Sequence, residues 1–256
     1  MTIHIQALKA LKDNYIWLIT SYHSPEAWIV DPGEAAPVLK TLAVQHLQLT
    51  NILITHHHYD HTAGVPALLQ QWPNCQVYAS HLSPHDFVSE RLHEGDKILG
   101  KNFELTVLDI PGHTLDHIAY YNSDLVFTGD TLFSAGCGRI FEGTPQQMYQ
   151  SLNKLQQLPD EIAIYCGHEY TLNNLLFAAH VEPDNPDIQN LIVSVKNLLN
   201  THHPSLPSTL SLEKKVNPFL RCQQKTVVSS VEQYAGKSLL NAVAVFAELR
   251  QWKNQF

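Results

Sequence analysis

Short apolar runs and longer, spaced apolar sets alternate along the first two-thirds of the chain. "YIWLIT" (Tyr15 to Thr20), "AWIV" (Ala27 to Val30) and "NILIT" (Asn51 to Thr55) read as strands. "DPG" (Asp31 to Gly33) supplies a turn and leads into a helix whose apolar positions include Val38, Leu39, Leu42 and Val44. Further strands are predicted in "CQVYAS" around Val77, from Phe103 to Ile110, His117 to Tyr121, Asp124 to Thr128 and Glu161 to Cys166. Between the last two, Thr144 stands as a helix N-cap with Pro145 at the first helical position, and Met148, Leu152 and Leu155 recur near helical spacing. After about Tyr170 strand-like runs become scarce. "NNLLFAAHVE", "IQNLIVSVKNLLN" and "SLLNAVAVFAELRQW" read as helices with prolines in between. The pattern predicts a mixed α/β region over 1–169 and a helical appendage over 170–256, without internal repeats, low-complexity tracts or a long Gly/Ser linker.

A chain of 256 residues has ample length for a real core, so neither metal nor disulfide is needed merely to hold it together. The excess of 24 acidic over 16 basic residues argues against an electrostatic hold on nucleic acid. An anionic substrate would therefore need a local basic patch. The four cysteines, Cys75, Cys137, Cys166 and Cys222, are widely spaced, form no CxxC pair and follow no charged-then-apolar leader, which reads as reduced thiols in a cytoplasmic protein. No uninterrupted apolar run approaches the roughly 18 to 20 residues that span a bilayer. A soluble protein with no membrane partner is expected.

"ITHHHYDHTAG" (Ile54 to Gly64) changes this picture, because imidazole nitrogens and carboxylate oxygens are usual ligands for a borderline metal. Three similar placements follow. His56 comes after "ILIT", His113 after "VLDIPG", Asp130 after "LVFTG" and His168 after "AIYCG", so four predicted strand ends each present a metal-capable side chain where loops can meet. In an extended loop residues two apart face the same way, so His56, His58 and Asp60 can converge while His57 and Tyr59 point elsewhere, and His61 can reach a second metal. One mononuclear zinc site needs only three or four protein ligands. The set of His56, His58, Asp60, His61, His113, Asp130 and His168 is enough for two metals if a carboxylate bridges, and Asp130 is the natural bridge. The set holds no cysteine, which favours a catalytic site over a closed structural one.

Other histidines read differently. His81, His85, His93, His202 and His203 lie in polar stretches and are expected in exposed loops; His57 is expected to hydrogen-bond near the site without binding metal, and His117 to support it or join the core. Cys137 is expected as a small buried residue.

"THHHYDHTAG" resembles the HxHxDH motif of the metallo-β-lactamase superfamily, and "PGHT", "TGD" and "CGHEYT" are similar to its remaining metal-ligand motifs. More narrowly, "LKDNYIWLI", "GCGRIFEGT", "YCGHEYTLNN", "VEPDN" and "VNPFLR" resemble the hydroxyacylglutathione hydrolase, or glyoxalase II, family, from near Leu11 to the last residues. The resemblance implies an αββα sandwich followed by a small C-terminal α-helical domain that helps bind glutathione. It implies His56, His58 and His113 on one metal, Asp60, His61 and His168 on the other, and Asp130 shared, with Asp60 and Asp130 as the carboxylates of the catalytic centre. Two divalent ions per chain are implied, zinc first, with iron and manganese suited to the same donors. Glutathione contacts would come from Arg139, Phe141, Tyr170, Arg250 and Lys253. Three positions depart from the family: Arg139 where lysine is common, Phe141 where tyrosine is common, and Asp116 where glycine is commoner.

The implied reaction is hydrolysis of an S-2-hydroxyacylglutathione, S-D-lactoylglutathione above all, to D-lactate and glutathione, the second step of methylglyoxal detoxification. A metal-bridging hydroxide would attack the thioester carbonyl. The thiolate, from a thiol with pKa near 8.5, leaves without a general acid. The only partner expected is the small glutathione thioester, and a monomer suffices because one chain holds every ligand. A lactonase, or a persulfide dioxygenase using one iron, is the nearest alternative; the dioxygenase would not need Asp60. A nuclease is disfavoured by charge, and a non-catalytic binding module would show degraded ligands.

Overall fold

The first strands, β1 (Ile3–Ala10) and β2 (Asn14–Ser21), pair antiparallel, and β2 carries the architecture in its alternation. Tyr15, Trp17 and Ile19 enter one buried cluster and Ile16 and Leu18 another, because successive strand side chains point to opposite faces. A strand apolar on both faces needs a layer on each side. In the computed structural model, which describes residues 3–101 and 103–256, β1 and β2 continue into β3 (Glu26–Val30), β4 (Gln48–Leu53), β5 (Gln76–Ser80) and β6 (Glu90–Leu92) in that spatial order.

A second sheet runs through β7 (Lys97–Leu99), β8 (Glu104–Asp109), β9 (Ile118–Tyr121) and β10 (Leu125–Gly129). A hairpin of β11 (Leu132–Phe133) and β12 (Gly136–Cys137) follows. β13 (Ala163–Cys166) and β14 (Ser208–Thr209) then complete the sheet beside β10. Tyr15, Trp17, Trp28 and Leu53 of the first sheet meet Leu105, Val107, Tyr120 and Phe127 of the second. Helices α1 (Ala35–Gln45) and α3 (Val65–Gln71), with α2 (Tyr59–Thr62) between them in the chain, belong to the first sheet's side, where Val38, Leu42, Val65 and Leu68 cover its outer face. Helix α4 (Pro145–Gln156) covers the second sheet with Met148, Leu152 and Leu155. The layers are therefore α, β, β, α.

Thr144 caps α4 as the sequence predicts: its hydroxyl accepts from the Gln147 amide while the Gln147 side chain accepts from the Thr144 amide. Val44 departs from expectation. It sits near the end of α1 at 72% exposure, while Val38 and Leu42 alone are buried there. β1 and the hairpin carry too little apolar signal to have been read as strands.

The C-terminal part holds α5 (Thr171–Val181), α6 (Pro186–Asn200), α7 (Leu210–Val216), α8 (Lys225–Ala235) and α9 (Ala242–Gln255). Phe177, Phe219, Phe246 and Leu249 share one cluster with Val126, Ile164 and Met148 of the sandwich. All four cysteines are free and buried, and burial raises their thiol pKa values, that of Cys75 up to about 12. Among the described residues no helix is long and apolar enough to cross a membrane.

Candidate metal centre

The expected ligand positions all follow strands whose ends lie together. β3, β4 and β5 run parallel, as do β10 and β13, so the loops after β4, β8, β10 and β13 bring His56, His113, Asp130 and His168 to one edge of the sandwich. His58 is the N-cap of the short helix α2, and Asp60 and His61 lie on its first turn. The extended-loop reading therefore holds for His56 and His58, whereas Asp60 is turned into place by a helix. Close approach explains two glycines. A Cβ on Gly33 would fall 1.7 Å from the Asp60 carbonyl oxygen, and one on Gly167 would fall 2.6 Å from Asp130 Oδ1 and 2.7 Å from His61 Cε1.

The seven side chains separate into two groups about Asp130. Ligand atoms of His56, His58 and His113 lie within 4.8 Å of one another, and so do those of Asp60, His61 and His168. Asp130 Oδ2 is 3.5 Å from His113 Nε2 and 3.4 Å from His168 Nε2, so one oxygen faces both groups; Oδ1 is 3.4 Å from His61 Nε2. Asp60 Oδ2 is 3.6 Å from His61 Nε2 and 3.4 Å from His168 Nε2. Tetrahedral bonds of about 2.1 Å put neighbouring ligand atoms about 3.4 Å apart, so these spacings suit a metal. His56 Nε2, His61 Nε2 and Asp130 Oδ1 are buried without a hydrogen-bond partner. Buried polar atoms are rarely left so, and a cation among them would satisfy all three.

Four of the five rings are held through their other nitrogen. His61 Nδ1 meets Asp31 Oδ2 at 3.0 Å, His168 Nδ1 meets Asp13 Oδ1 at 2.8 Å, His113 Nδ1 donates to the Arg139 carbonyl at 2.7 Å, and His56 Nδ1 lies 3.1 Å from Thr55 Oγ1. Asp31 also accepts from the Thr55 amide and hydroxyl. Asn14 Nδ2 donates to Asp60 Oδ2 and to its carbonyl. Such partners fix ring orientation and tautomer at metal sites. Asp13, Asn14, Asp31 and Thr55 were not expected as supporting residues, because "DPG" reads as a turn, Thr55 ends a predicted strand, and Asp13 and Asn14 precede one.

Electrostatics separates the two groups. Burial lowers the pKa values of His56, His58 and His113, which keeps this imidazole group neutral. Burial also opposes charge on His61 and His168, but the carboxylates outweigh it: Asp130 and Asp31 raise His61 well above the usual imidazole range, and Asp130 and Asp60 raise His168 to about 10. Burial works against ionised Asp130 in turn, yet His61 and His168 hold its pKa low. Asp31, Asp60 and Asp130 together favour positive charge here. A divalent cation would supply it in place of protons on His61 and His168.

His117 and His57 stand as support. His117 Nε2 accepts from the Asp130 amide at 3.0 Å, and its ring stacks on His56 at 4.6 Å. His57 Nδ1 lies 2.8 Å from buried Asp116, and its Nε2 lies 3.3 Å from Glu142 Oε1. Asp116 thus ties the loop after β4 to the loop after β8. His202, His203 and His93 are exposed as expected, but His81 and His85 are half-buried, and His85 Nε2 bonds the His57 carbonyl.

The proposed glutathione contacts lie around this centre. Phe141, 63% exposed, presents its ring edge-on to His58 and His113 at 5.6 and 5.2 Å. Tyr170 stacks flat on His168 at 4.6 Å. Arg139 is exposed. Lys253 Nζ donates to the Asn173 carbonyl and side chain, and burial, aided by Arg250 and Arg139, lowers it to about 8. Arg250 is only 6% exposed, with Nη1 donating to the Cys137 carbonyl at 2.7 Å and the guanidinium over the Phe219 ring.

Residues 13–168 match the model of the metallo-beta-lactamase superfamily and residues 169–256 that of the hydroxyacylglutathione hydrolase C-terminus. A hydroxyacylglutathione hydrolase of Nitrosomonas eutropha is 48% identical over 99% of this chain and 99% of that relative. One of Aeromonas hydrophila subsp. hydrophila is 51% identical over 96% of this chain and 97% of that relative. Among solved structures, ETHE1 from Myxococcus xanthus superposes with a TM-score of 0.67 at 25% identity, covering 99% of this chain and 98% of that one. With both halves matched and identity close to one-half along the whole length, the chain belongs to the hydroxyacylglutathione hydrolase family of the metallo-β-lactamase superfamily.

Proposed function

We propose that this enzyme hydrolyses S-2-hydroxyacylglutathione, S-D-lactoylglutathione above all, to the hydroxy acid and glutathione, as the second step of methylglyoxal detoxification. The observation that carries this reading is the pair of ligand groups about one shared oxygen, Asp130 Oδ2. Two divalent cations bound here would supply Lewis acidity and a water of lowered pKa near neutrality. His56, His58 and His113 would hold one ion and Asp60, His61 and His168 the other, with Asp130 shared. Zinc suits this donor set best, and iron and manganese also fit it.

The chain's own residues do the rest. Tyr170, lying over His168, and Phe141, beside His58 and His113, flank the space where the thioester would sit. Arg139, Arg250 and Lys253 gather positive charge in an otherwise acidic protein, which suits an anionic tripeptide. The glutathione thiolate leaves without a proton donor, since its thiol pKa lies near 8.5. In this reading residues 1–169 carry the metals, 170–256 form the glutathione-binding domain, a monomer is active, and a reducing cytoplasm suits the four free thiols.

Steady-state hydrolysis of S-D-lactoylglutathione, with metal content measured on the same sample and a simple lactone as control, tests the proposal. Rapid thioester turnover with two metals per chain and little lactone cleavage is expected. A fully metallated sample without thioester turnover would overturn the substrate reading.

A further inference from the structure

The hairpin of β11 and β12 is held from outside the sandwich. Five consecutive residues, Phe133 to Cys137, have backbone groups bonded by side chains that all lie beyond residue 170. Asn217 Nδ2 donates to the carbonyls of Phe133 and Gly136 at 3.2 and 3.0 Å, and Asn174 Nδ2 to that of Ser134 at 3.0 Å. The Ala135 amide donates to Glu213 Oε2 at 2.7 Å, and Arg250 binds the Cys137 carbonyl. Ala135 has φ +53°, a left-handed conformation that a non-glycine residue keeps only when its surroundings impose it. Its methyl packs with Leu175, Ile188 and Val216 of the helical region.

Glu213 sits at the middle of these contacts. It is fully buried, and it accepts from four neutral donors: the Ser134 and Ser208 hydroxyls on Oε1, and the Ala135 amide and Asn217 Nδ2 on Oε2. The hairpin in turn reaches the metal centre at both ends. It starts just after Asp130, and Gly138 folds back so closely that a Cβ there would stand 1.9 Å from the Asp130 carbonyl oxygen and 3.0 Å from His113 Nδ1. The next residue, Arg139, supplies the carbonyl that His113 Nδ1 bonds.

We propose that Glu213 is a positioning residue for the metal centre: through the Phe133–Cys137 turn it sets where Asp130 and His113 stand. The centre is then completed by the helical region and not by the sandwich alone. This rests on the two-metal reading above.

The test compares Glu213→Gln with Glu213→Leu. Glutamine keeps an acceptor for Ala135 and Asn217, and its amide can face the two serine hydroxyls, which accept as readily as they donate. Leucine leaves the buried Ala135 amide without a partner. Zinc affinity by competition with a chelator, the visible spectrum of the cobalt-loaded protein, and amide exchange over residues 128–139 in the metal-free protein are the readouts. Expected is wild-type behaviour for the glutamine variant. For folded leucine variant, affinity should fall about 10- to 100-fold, the range for losing an outer partner of a metal ligand, with a shifted cobalt spectrum. Its exchange should be faster over 128–139 while β2 to β4 keep wild-type protection. Should the leucine variant not fold, Asn174→Leu, which removes only the bond to the Ser134 carbonyl, should show the same changes at smaller size. A folded variant of either kind with wild-type affinity, spectrum and exchange overturns the proposal. Wild-type protein that takes up metal but cleaves no thioester defeats the substrate reading alone. If wild-type protein takes up no metal, the exchange data decide.

Discussion

Around Asp130 the rings of His56, His61, His113 and His168 are each fixed through a second nitrogen by Thr55, Asp31, Arg139 or Asp13, whereas the cations of the proposed glutathione end are exposed or bonded to neighbouring backbone. Half-buried Lys253 bonds Asn173 of α5, Arg139 lies in solvent, and Arg250 gives a guanidinium nitrogen to the Cys137 carbonyl. The first end is braced by hydrogen bonds ring by ring; the second is not. Chemistry that depends on distances of tenths of an ångström calls for the first design, while holding a flexible tripeptide tolerates the second.

Substitutions at the two ends should therefore differ in kind. At the rigid end the largest effect is expected from Asp130→Ala, which removes the shared oxygen: kcat should fall by about 10³-fold or more, and metal content should drop below that of the wild type in the same preparation. Retained metal and turnover would mean Asp130 is not shared. Next, Asp31→Ala leaves every ligand in place but frees the His61 ring and the Thr55 amide and hydroxyl; zinc affinity should weaken about 10- to 100-fold, read by chelator competition. Unchanged affinity would show that the ring needs no such brace.

At the adaptable end the effects fall on binding. Lys253→Met should raise KM about tenfold and leave kcat within about twofold, because in the proposed reading the charge contacts a remote part of the substrate. The pH profile sharpens this. Burial lowers Lys253 to about 8, so its positive charge is present below that pH and is lost as pH rises through it; kcat/KM of the wild type should decline above pH of about 8, and that decline should be absent from Lys253→Met. Superimposable profiles would remove Lys253 from the site. The smallest effect is expected for Phe141→Tyr, which adds one hydroxyl to an exposed ring: KM should fall about two- to fivefold, the worth of one hydrogen bond.

The same contrast governs what the chain reveals as a sequence. His56, His58, Asp60 and His61 fall within one loop and a single helical turn, and His113, Asp130 and His168 each follow a strand and a glycine, so local spacing displays them. Strands such as β2 and β4 were legible because apolar residues on both faces leave a continuous run. Asp31 was not, since its role arises only when the parallel pairing of β3 and β4 sets its carboxylate against Thr55. Glu213 and Asn217 lie in "EKKVN", which reads as a solvated stretch, yet both are fully buried. Arg250, expected on glutathione, is buried and bonded to the Cys137 carbonyl, so its removal would confound binding with structure.

The buried cysteines acquire a meaning once the product is considered. An enzyme that releases glutathione works amid a thiol and its disulfide, where any accessible thiolate would enter exchange and end up capped. Here Cys75, Cys137, Cys166 and Cys222 are all buried with raised pKa values, so none offers a nucleophile. The donors proposed for its metals are imidazoles and carboxylates, which glutathione disulfide cannot modify. The fold thus keeps its output independent of the redox poise that its own product helps to set.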